Sequence, residues 1–376
     1  MARKNRKGPR KNQMKIARFI DNWHHYCIQY ASMKPLYEDL DTFRSVKADT
    51  KFSYLTSWKM GTDHAVALED QIRTHMEISD HVYVDLGEPA LNYKDKKHGW
   101  DTEFDNWYGP YYGTPDFINK FDKNSNVTFF GNIVANVETN RPLHYLNDMF
   151  FENLNIYKED PLCVSLLQKL KDDTNKDKHW ELMCSNNIEL YNLSQAHKVK
   201  DRTFATCHAL GISHWGPDVM SPKNGRSGAE TFSKSNLRVS DLIDPSIYNQ
   251  SYYSCVVETS IPENNSYCMF SEKEAKPIVS KRPFIIVGSM GHLKTFRELG
   301  FKTFSPVIDE SYDQEPDRIK RYHMILDSMY KLSMLEPKEV YKQLEPVLEH
   351  NSNHFYNNKW NEELQRAWLT PNLLSE

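Results

Sequence analysis

The sequence predicts an α/β protein of two domains with mostly parallel strands, and three observations carry that expectation. Short apolar, β-rich runs alternate with helical segments, the pattern of parallel strands joined by crossover helices. Two of those runs, His81–Leu86 and Arg282–Val287, end directly in glycine turns at Gly87 and Gly288. The chain has 376 residues, which suits two domains of about 100–200 residues each.

The first fifteen residues hold Arg3, Lys4, Arg6, Lys7, Arg10, Lys11 and Lys15 and no acid. Such a block cannot bury enough apolar surface to fold alone, so residues 1–15 are expected to form a mobile basic arm. It suits contact with a phosphate backbone, where each neutralised phosphate releases counterions. It suits a solubilising tail equally well.

Residues 16–175 are assigned to a first α/β domain. Ile16, Phe19, Ile20, Trp23 and Cys27 recur at helical spacing and predict a helix within 16–50. Phe52–Leu55 reads as a strand. A helix from His64 to about Met76 places Ala65, Leu68 and Ile72 on one face, and His81–Leu86 is a buried strand. Residues 93–127 read as a loop in which Trp100, Trp107, Tyr108, Tyr111 and Tyr112 either pack the loop down or stack on a base or sugar. Val127–Phe130 and Ile133–Ala135 are strand candidates, and 145–175 is mostly helical before a polar turn at 171–178.

Residues 176–345 are assigned to a second unit. Trp180–Met183 reads as a strand, His197 to about Leu210 as a helix, and Ser221–Asn236 as a polar linker. Tyr253–Glu258 is a strand. Ser271 followed by Glu274 is a capping box that opens a short helix to about Val279. The strand Arg282–Val287, a helix from His292 to Leu299, a strand Gly300–Phe304 and a helix from about Pro316 follow. That last helix carries Ile319, Tyr322, Leu326 and Met329 on one face. Residues 346–376 form a C-terminal helical segment, with a helix at Trp360–Leu369.

Composition excludes several classes. Six scattered cysteines without a CxxC pair argue against a zinc ribbon or a disulfide scaffold and fit a reducing, cytoplasmic setting. No run of apolar residues is long enough to span a membrane. There is no GxGxxG turn and no GxxxxGK[ST] loop, which argues against NAD and P-loop chemistry. His208 and His214 near Cys207 are too few for a metal site, so none is expected.

The residues that carry chemistry gather in the second unit. A helix N-terminus presents unpaired N–H groups and partial positive charge, and so binds phosphate. Here it bears Ser271, Glu272 and Lys273, with Lys276 one turn on, Arg282 just beyond and Glu258 closing the preceding strand. Those groups suit a nucleotide diphosphate, with Glu272 accepting from ribose or sugar hydroxyls. An ordinary capped helix with surface charges explains the same residues. A second basic cluster holds Lys198, Lys200 and Arg202.

Met269–Ile278, Lys281–Gly291, Leu299–Phe304 and Ile308–Asp313 together resemble a run in bacteriophage proteins that reads F-x-T/S-E-K-x-x-K-P-I, G-R-P-F-I-x-x-G and L-G-F-K-T-F before I-D-E-S-Y-D. The Glu-Lys pair before a helix, then a strand entering a glycine turn, also resembles the donor site of GT-B glycosyltransferases. Compatible members are the phage enzymes that glycosylate hydroxymethylated cytosine in DNA, including arabinosyltransferases. The resemblance covers about residues 254–335. It departs from the pattern at Glu274 and Ala275, where Thr and an aromatic residue are usual, and at Lys281, where Gly is usual.

The resemblance implies a GT-B-like fold of two Rossmann-like domains facing a cleft, with a nucleotide sugar such as a UDP-sugar as co-substrate and no metal. It implies that Glu272 and Lys273 hold ribose or phosphate, and that Lys276 or Arg282 supports the leaving diphosphate. Lys200 or Arg202 would fill an R-x-H-R-like role on the phosphates. The general base would be Glu88, with Asp85 and Asp63 as alternatives. The acceptor would be a 5-hydroxymethylated cytosine in double-stranded DNA, flipped from the stack, with the basic arm on the backbone. A glycan-directed transferase and a non-catalytic nucleic-acid-binding protein are the competing expectations.

Overall fold

The computed structural model describes residues 16–20, 52–56, 62–86, 117–131, 133–135, 140–141, 143–145, 154, 156–171, 176–183, 187–206, 242–258, 261, 265 and 267–357. In chain order its elements are β1 (Ile16–Ile20), β2 (Phe52–Thr56), α1 (Thr62–Ile78), β3 (His81–Asp85), β4 (Val127–Gly131), β5 (Ile133–Ala135) and β6 (Leu143–Tyr145). Then come α2 (Pro161–Gln168), β7 (Lys178–Met183), α3 (Ile188–Ala196), β8 (Thr203–Thr206), α4 (Pro245–Tyr248), β9 (Ser251–Val257) and β10 (Tyr267–Met269). The last are α5 (Glu272–Val279), β11 (Phe284–Val287), α6 (His292–Glu298), α7 (Arg318–Leu332) and α8 (Pro337–Tyr356). The architecture is α/β with parallel sheets.

The first sheet has the order β1-β2-β3-β4-β6, with every neighbouring pair parallel. Leu68 and Ile72 of α1 are buried with Val82, Val84, Phe117 and Phe129, so the apolar stripe expected on that helix does face a core. β4 is buried along its whole length, and its residues divide between two cores. Phe129 joins the cluster under α1, while Phe130 joins the cluster of the second sheet.

The second sheet has the order β11-β9-β7-β8, again all parallel. β9 and β11 are buried at every position, which is why they read as unbroken apolar runs rather than as alternation. Trp180 of β7 is fully buried and donates from Nε1 to the Met329 carbonyl of α7 at 3.0 Å. Tyr341 of α8 donates to the Tyr252 carbonyl at 2.7 Å. A short antiparallel pair, β10 with β5, joins the segment before α5 to the segment after β4.

Four expectations are corrected. Ile16–Ile20 is a strand, not the start of a helix: its Ile and Phe residues suit either period, and parallel pairing with β2 decides the matter. The helix expected from His197 does not form: an earlier helix, α3, ends at Ala196, where the His197 N–H donates to the Ser194 carbonyl. β-branched Thr203 and Thr206 then carry β8 alongside β7. Gly300–Phe304 forms no strand. Gly300 has φ +88°, and the buried Asn351 side chain takes the place of a neighbouring strand. It accepts from the Lys302 N–H and donates to the Lys302 carbonyl, each at 2.8 Å, while Phe301 and Phe304 anchor the segment in the core. Finally, α8 runs unbroken from 337 to 356. Pro346 lies inside it, so the helical segment does not begin at 346. Residues 1–15, the Ser221–Asn236 linker, the 93–112 aromatic loop and the Trp360–Leu369 helix lie outside the described residues.

A methyl group at Gly300 would sit 2.6 Å from His354 Cε1, and His354 Nε2 is engaged with the Leu299 carbonyl at 2.7 Å. The left-handed backbone adds its own penalty. Gly300→Ala is expected to cost about 2–4 kcal/mol, read as a fall in the urea midpoint with an unchanged m-value.

Candidate functional site at the carboxyl edge of the second sheet

In the second sheet the strand order reverses between β7 and β9: the chain leaves β7 toward β8 on one side and β9 toward β11 on the other. Open α/β sheets bind ligands in the crevice beyond the carboxyl ends of the strands at such a reversal. Glu258 is the residue that follows β9 at this point. Its N–H donates to the Val287 carbonyl at 3.0 Å, which holds it beside the end of β11, and its side chain is buried.

α5 crosses back between β9 and β11, so its N-terminus meets the same edge. The capping box is formed: the Ser271 N–H donates to Glu274 Oε2 at 2.9 Å, and Ser271 Oγ accepts from the Lys273 N–H at 3.3 Å. Ser271 Oγ donates in turn to Glu258 Oε1 at 2.7 Å. The Lys273 ammonium donates to Ser271 Oγ at 3.1 Å and to Glu272 Oε1 at 3.5 Å, and stands 3.8 Å from Glu258 Oε2. Burial opposes its charge, but the carboxylates of Glu258, Glu272 and Glu274 outweigh burial and raise its pKa.

Glu274 differs from its neighbours. Burial, reinforced by the Glu258 carboxylate, holds its pKa well above the usual carboxylate range. Glu258 Oε2 and Glu274 Oε1 both lack a hydrogen-bond donor among the described residues. One proton on Glu274, shared toward the Glu258 carboxylate, satisfies the pair. His292, at the start of α6, lies 3.8 Å from Glu274 Oε1 with its ring edge against Phe270, 4.4 Å between centroids. Burial, then the nearby Arg321 guanidinium, pushes its pKa down to about 3, so the ring is neutral. A methyl group at Gly288 would lie 2.2 Å from His292 Nδ1, which is why glycine follows β11. Arg321 of α7 completes the edge, donating from Nε to the Gly288 carbonyl at 3.1 Å and from Nη1 to the Glu315 carbonyl at 2.6 Å. The N-terminus of α6 is already filled: the Asp313 carboxylate accepts from the Leu293 and Lys294 N–H groups at 2.8 and 3.1 Å.

The structure therefore brings Glu258, Ser271, Glu272 and Lys273 together, with Lys276 buried one turn further along α5. It does not bring Arg282, Lys200 or Arg202 to them. Arg282 stands at the opposite, amino edge. There it donates to the carbonyls of Tyr248, Ser251 and Tyr253 at 3.2, 2.9 and 2.7 Å and to the Ser251 hydroxyl, with its guanidinium over the Tyr248 ring. Lys200 and Arg202 precede β8 at that same edge. Arg202 donates to the Ser333 carbonyl at 2.8 Å, closing the C-terminus of α7. β9 separates the two edges by its seven residues, about 20 Å at ~3.3 Å per residue. Asp85 ends β3 in the first sheet, and Asp63 falls in the first turn of α1. Glu88 lies outside the described residues.

Glu274, His292 and Arg321 escaped the sequence reading. Glu274 was visible only as a helix cap, and His292 only as a helix start after Gly291. The cluster's three carboxyl groups suit hydroxyl donors, and its ammonium and helix N-terminus suit an anion. Among the described residues no group of three or more His, Cys, Asp or Glu is placed to hold a metal, and no helix is long and apolar enough to cross a membrane. Comparison with protein-family models, curated proteins and solved structures finds no significant match.

Two expectations follow from the geometry. A raised folded pKa at Glu274 means that the native state holds the extra proton, so its contribution is full below the unfolded value of 4.5 and declines as pH rises above it. His292 works in the opposite sense: its contribution is full above 6.5 and declines as pH falls toward about 3. The two oppose each other between 4.5 and 6.5. Urea melts between pH 4.5 and 6.5 should show stability rising more steeply with pH in Glu274→Gln than in the wild type, because the variant lacks the contribution that declines as pH rises. Separately, Arg282→Lys should cost about 2–4 kcal/mol in the same melts, because an ammonium cannot serve the Tyr248, Ser251 and Tyr253 carbonyls together.

Proposed function

We propose that this chain is a nucleotide-sugar-dependent glycosyltransferase of GT-B-like architecture. The observation that carries the reading is Glu258 at the carboxyl end of β9, at the reversal of strand order and beside the N-terminus of α5. A carboxylate in that place is suited to accept from a ribose diol, as in other open α/β nucleotide sites. Glu272, at 8 % exposure the most open of the group, takes the remaining hydroxyl contact. In this reading Lys273, Lys276 and the N-terminus of α5 supply the positive charge for the leaving diphosphate. Arg282, Lys200 and Arg202 have no part in it, because they stand at the far edge. Glu88, or Asp85 at the carboxyl end of β3, is the general base for the acceptor hydroxyl.

The proposed acceptor is a 5-hydroxymethylated cytosine in double-stranded DNA. The support is the basic arm of residues 1–15 together with the resemblance of residues 254–335 to phage DNA-modifying transferases. The deciding experiment incubates the full chain with a panel of nucleotide sugars and hydroxymethylcytosine-containing duplex DNA, followed by nucleoside mass spectrometry. The expected result is a pentose or hexose mass on the nucleoside that disappears in Glu272→Ala. Hydrolysis of one nucleotide sugar without DNA modification would keep the donor site and move the acceptor to a glycan. No turnover of any donor, with DNA still bound, would replace the enzyme by a nucleic-acid-binding protein.

A further inference from the structure

A cleft of about 620 Å³ opens at the amino edge of the second sheet, on the far side of β9 from Glu258. Its walls come from the segment after α2, the start of β9, the turn between α5 and β11, and the first half of α8. Six cationic side chains line it: Lys171, Lys176, Lys281, Arg282, Lys338 and Lys342. The lining carboxylates are Glu345 and Glu349, and Glu349 is engaged with Lys281 at 2.6 Å. Tyr252 and Tyr341 add aromatic surface.

Helix stability does not explain this arrangement. Lys338 and Lys342 are one turn apart on α8, both exposed, in the half of the helix nearest its positive end. Like charges at that spacing repel, and cations near a helix N-terminus oppose its dipole. Neither lysine has a carboxylate partner among the described residues. Lys281, which also lines the cleft, holds φ +51°, a left-handed conformation that side chains rarely adopt. Arg282 is buried, and its Nε has no acceptor among the described residues. An anion in the cleft would relieve the lysine repulsion and interact favourably with the helix dipole.

We propose that this cleft binds a small phosphorylated ligand, of the size of a nucleotide, at a site separate from the carboxyl-edge cluster. The volume lies in the ordinary range of small-molecule sites, about 300–1,000 Å³. The lysines meet the phosphates and the tyrosines meet a ring.

Calorimetric titration of the full chain with inorganic pyrophosphate, ADP and a short single-stranded oligonucleotide tests this, alongside the K338E/K342E double variant. Both lysines are exposed, so the variant is expected to melt like the wild type. Pyrophosphate should bind the wild type, more weakly as salt rises, and weaken by about tenfold or more in the variant. ADP binding tighter than pyrophosphate would mark the ligand as a nucleotide, and equal affinities would mark it as a phosphate compound without a required ring. Absence of pyrophosphate and ADP binding would overturn the proposal. So would binding unchanged by charge reversal, which places the anion elsewhere, or binding of the oligonucleotide alone.

Discussion

The second unit is organised around one costly constraint, a carboxylate buried at the end of β9. Glu258 cannot remain charged there unless a cation and hydrogen-bond donors meet it, because an unpaired buried ion costs several kcal/mol. Lys273 and Ser271 provide both, and both belong to the first turn of α5 or its cap. The position of α5 is therefore fixed by the charge on β9 as much as by apolar packing. The proton on Glu274 follows from the same constraint, since two ionised carboxyl groups at this depth would repel without compensation. Gly288 follows in turn, because the neutral ring of His292 that closes the cluster leaves no room for a side chain after β11.

The other end of β9 is held by different means. Arg282 gathers carbonyls of α4 and β9, and its planar donors match their spread. The opposite ends of a single strand thus carry opposite signs of charge. The carboxylate end is closed on itself and almost dry. The guanidinium end opens into a basic cleft.

Much of this was legible in the sequence. The capping box, the strand Phe284–Val287 and the helix bearing Tyr322, Leu326 and Met329 were each readable because local chemistry and periodicity agree there. Glu258, Ser271, Glu272 and Lys273 were also grouped correctly as neighbours, since cap and strand end lie close in sequence. Arg282 was misplaced for a clear reason: it lies close in sequence to the α5 N-terminus, but a helix and a strand carry it to the opposite edge. Gly300–Phe304 misled because Phe301 and Phe304 look like strand residues, while the partner that replaces the strand is a side chain, Asn351, far along the chain. Glu274, His292 and Arg321 come together only through tertiary packing, and no spacing in the sequence announces a neutral histidine beside a protonated glutamate.

The small β5–β10 ladder has a mechanical consequence. Met269 pairs with Ile133, and Ser271 stands only two residues beyond. β5 itself lies two residues after β4, which bridges the two cores through Phe129 and Phe130. The cap of α5 is thus tied by a short, stiff tether to the strand at the junction of the two sheets. A displacement of β4 toward or away from β9 would be passed through this ladder to the residues beside the Ser271 cap.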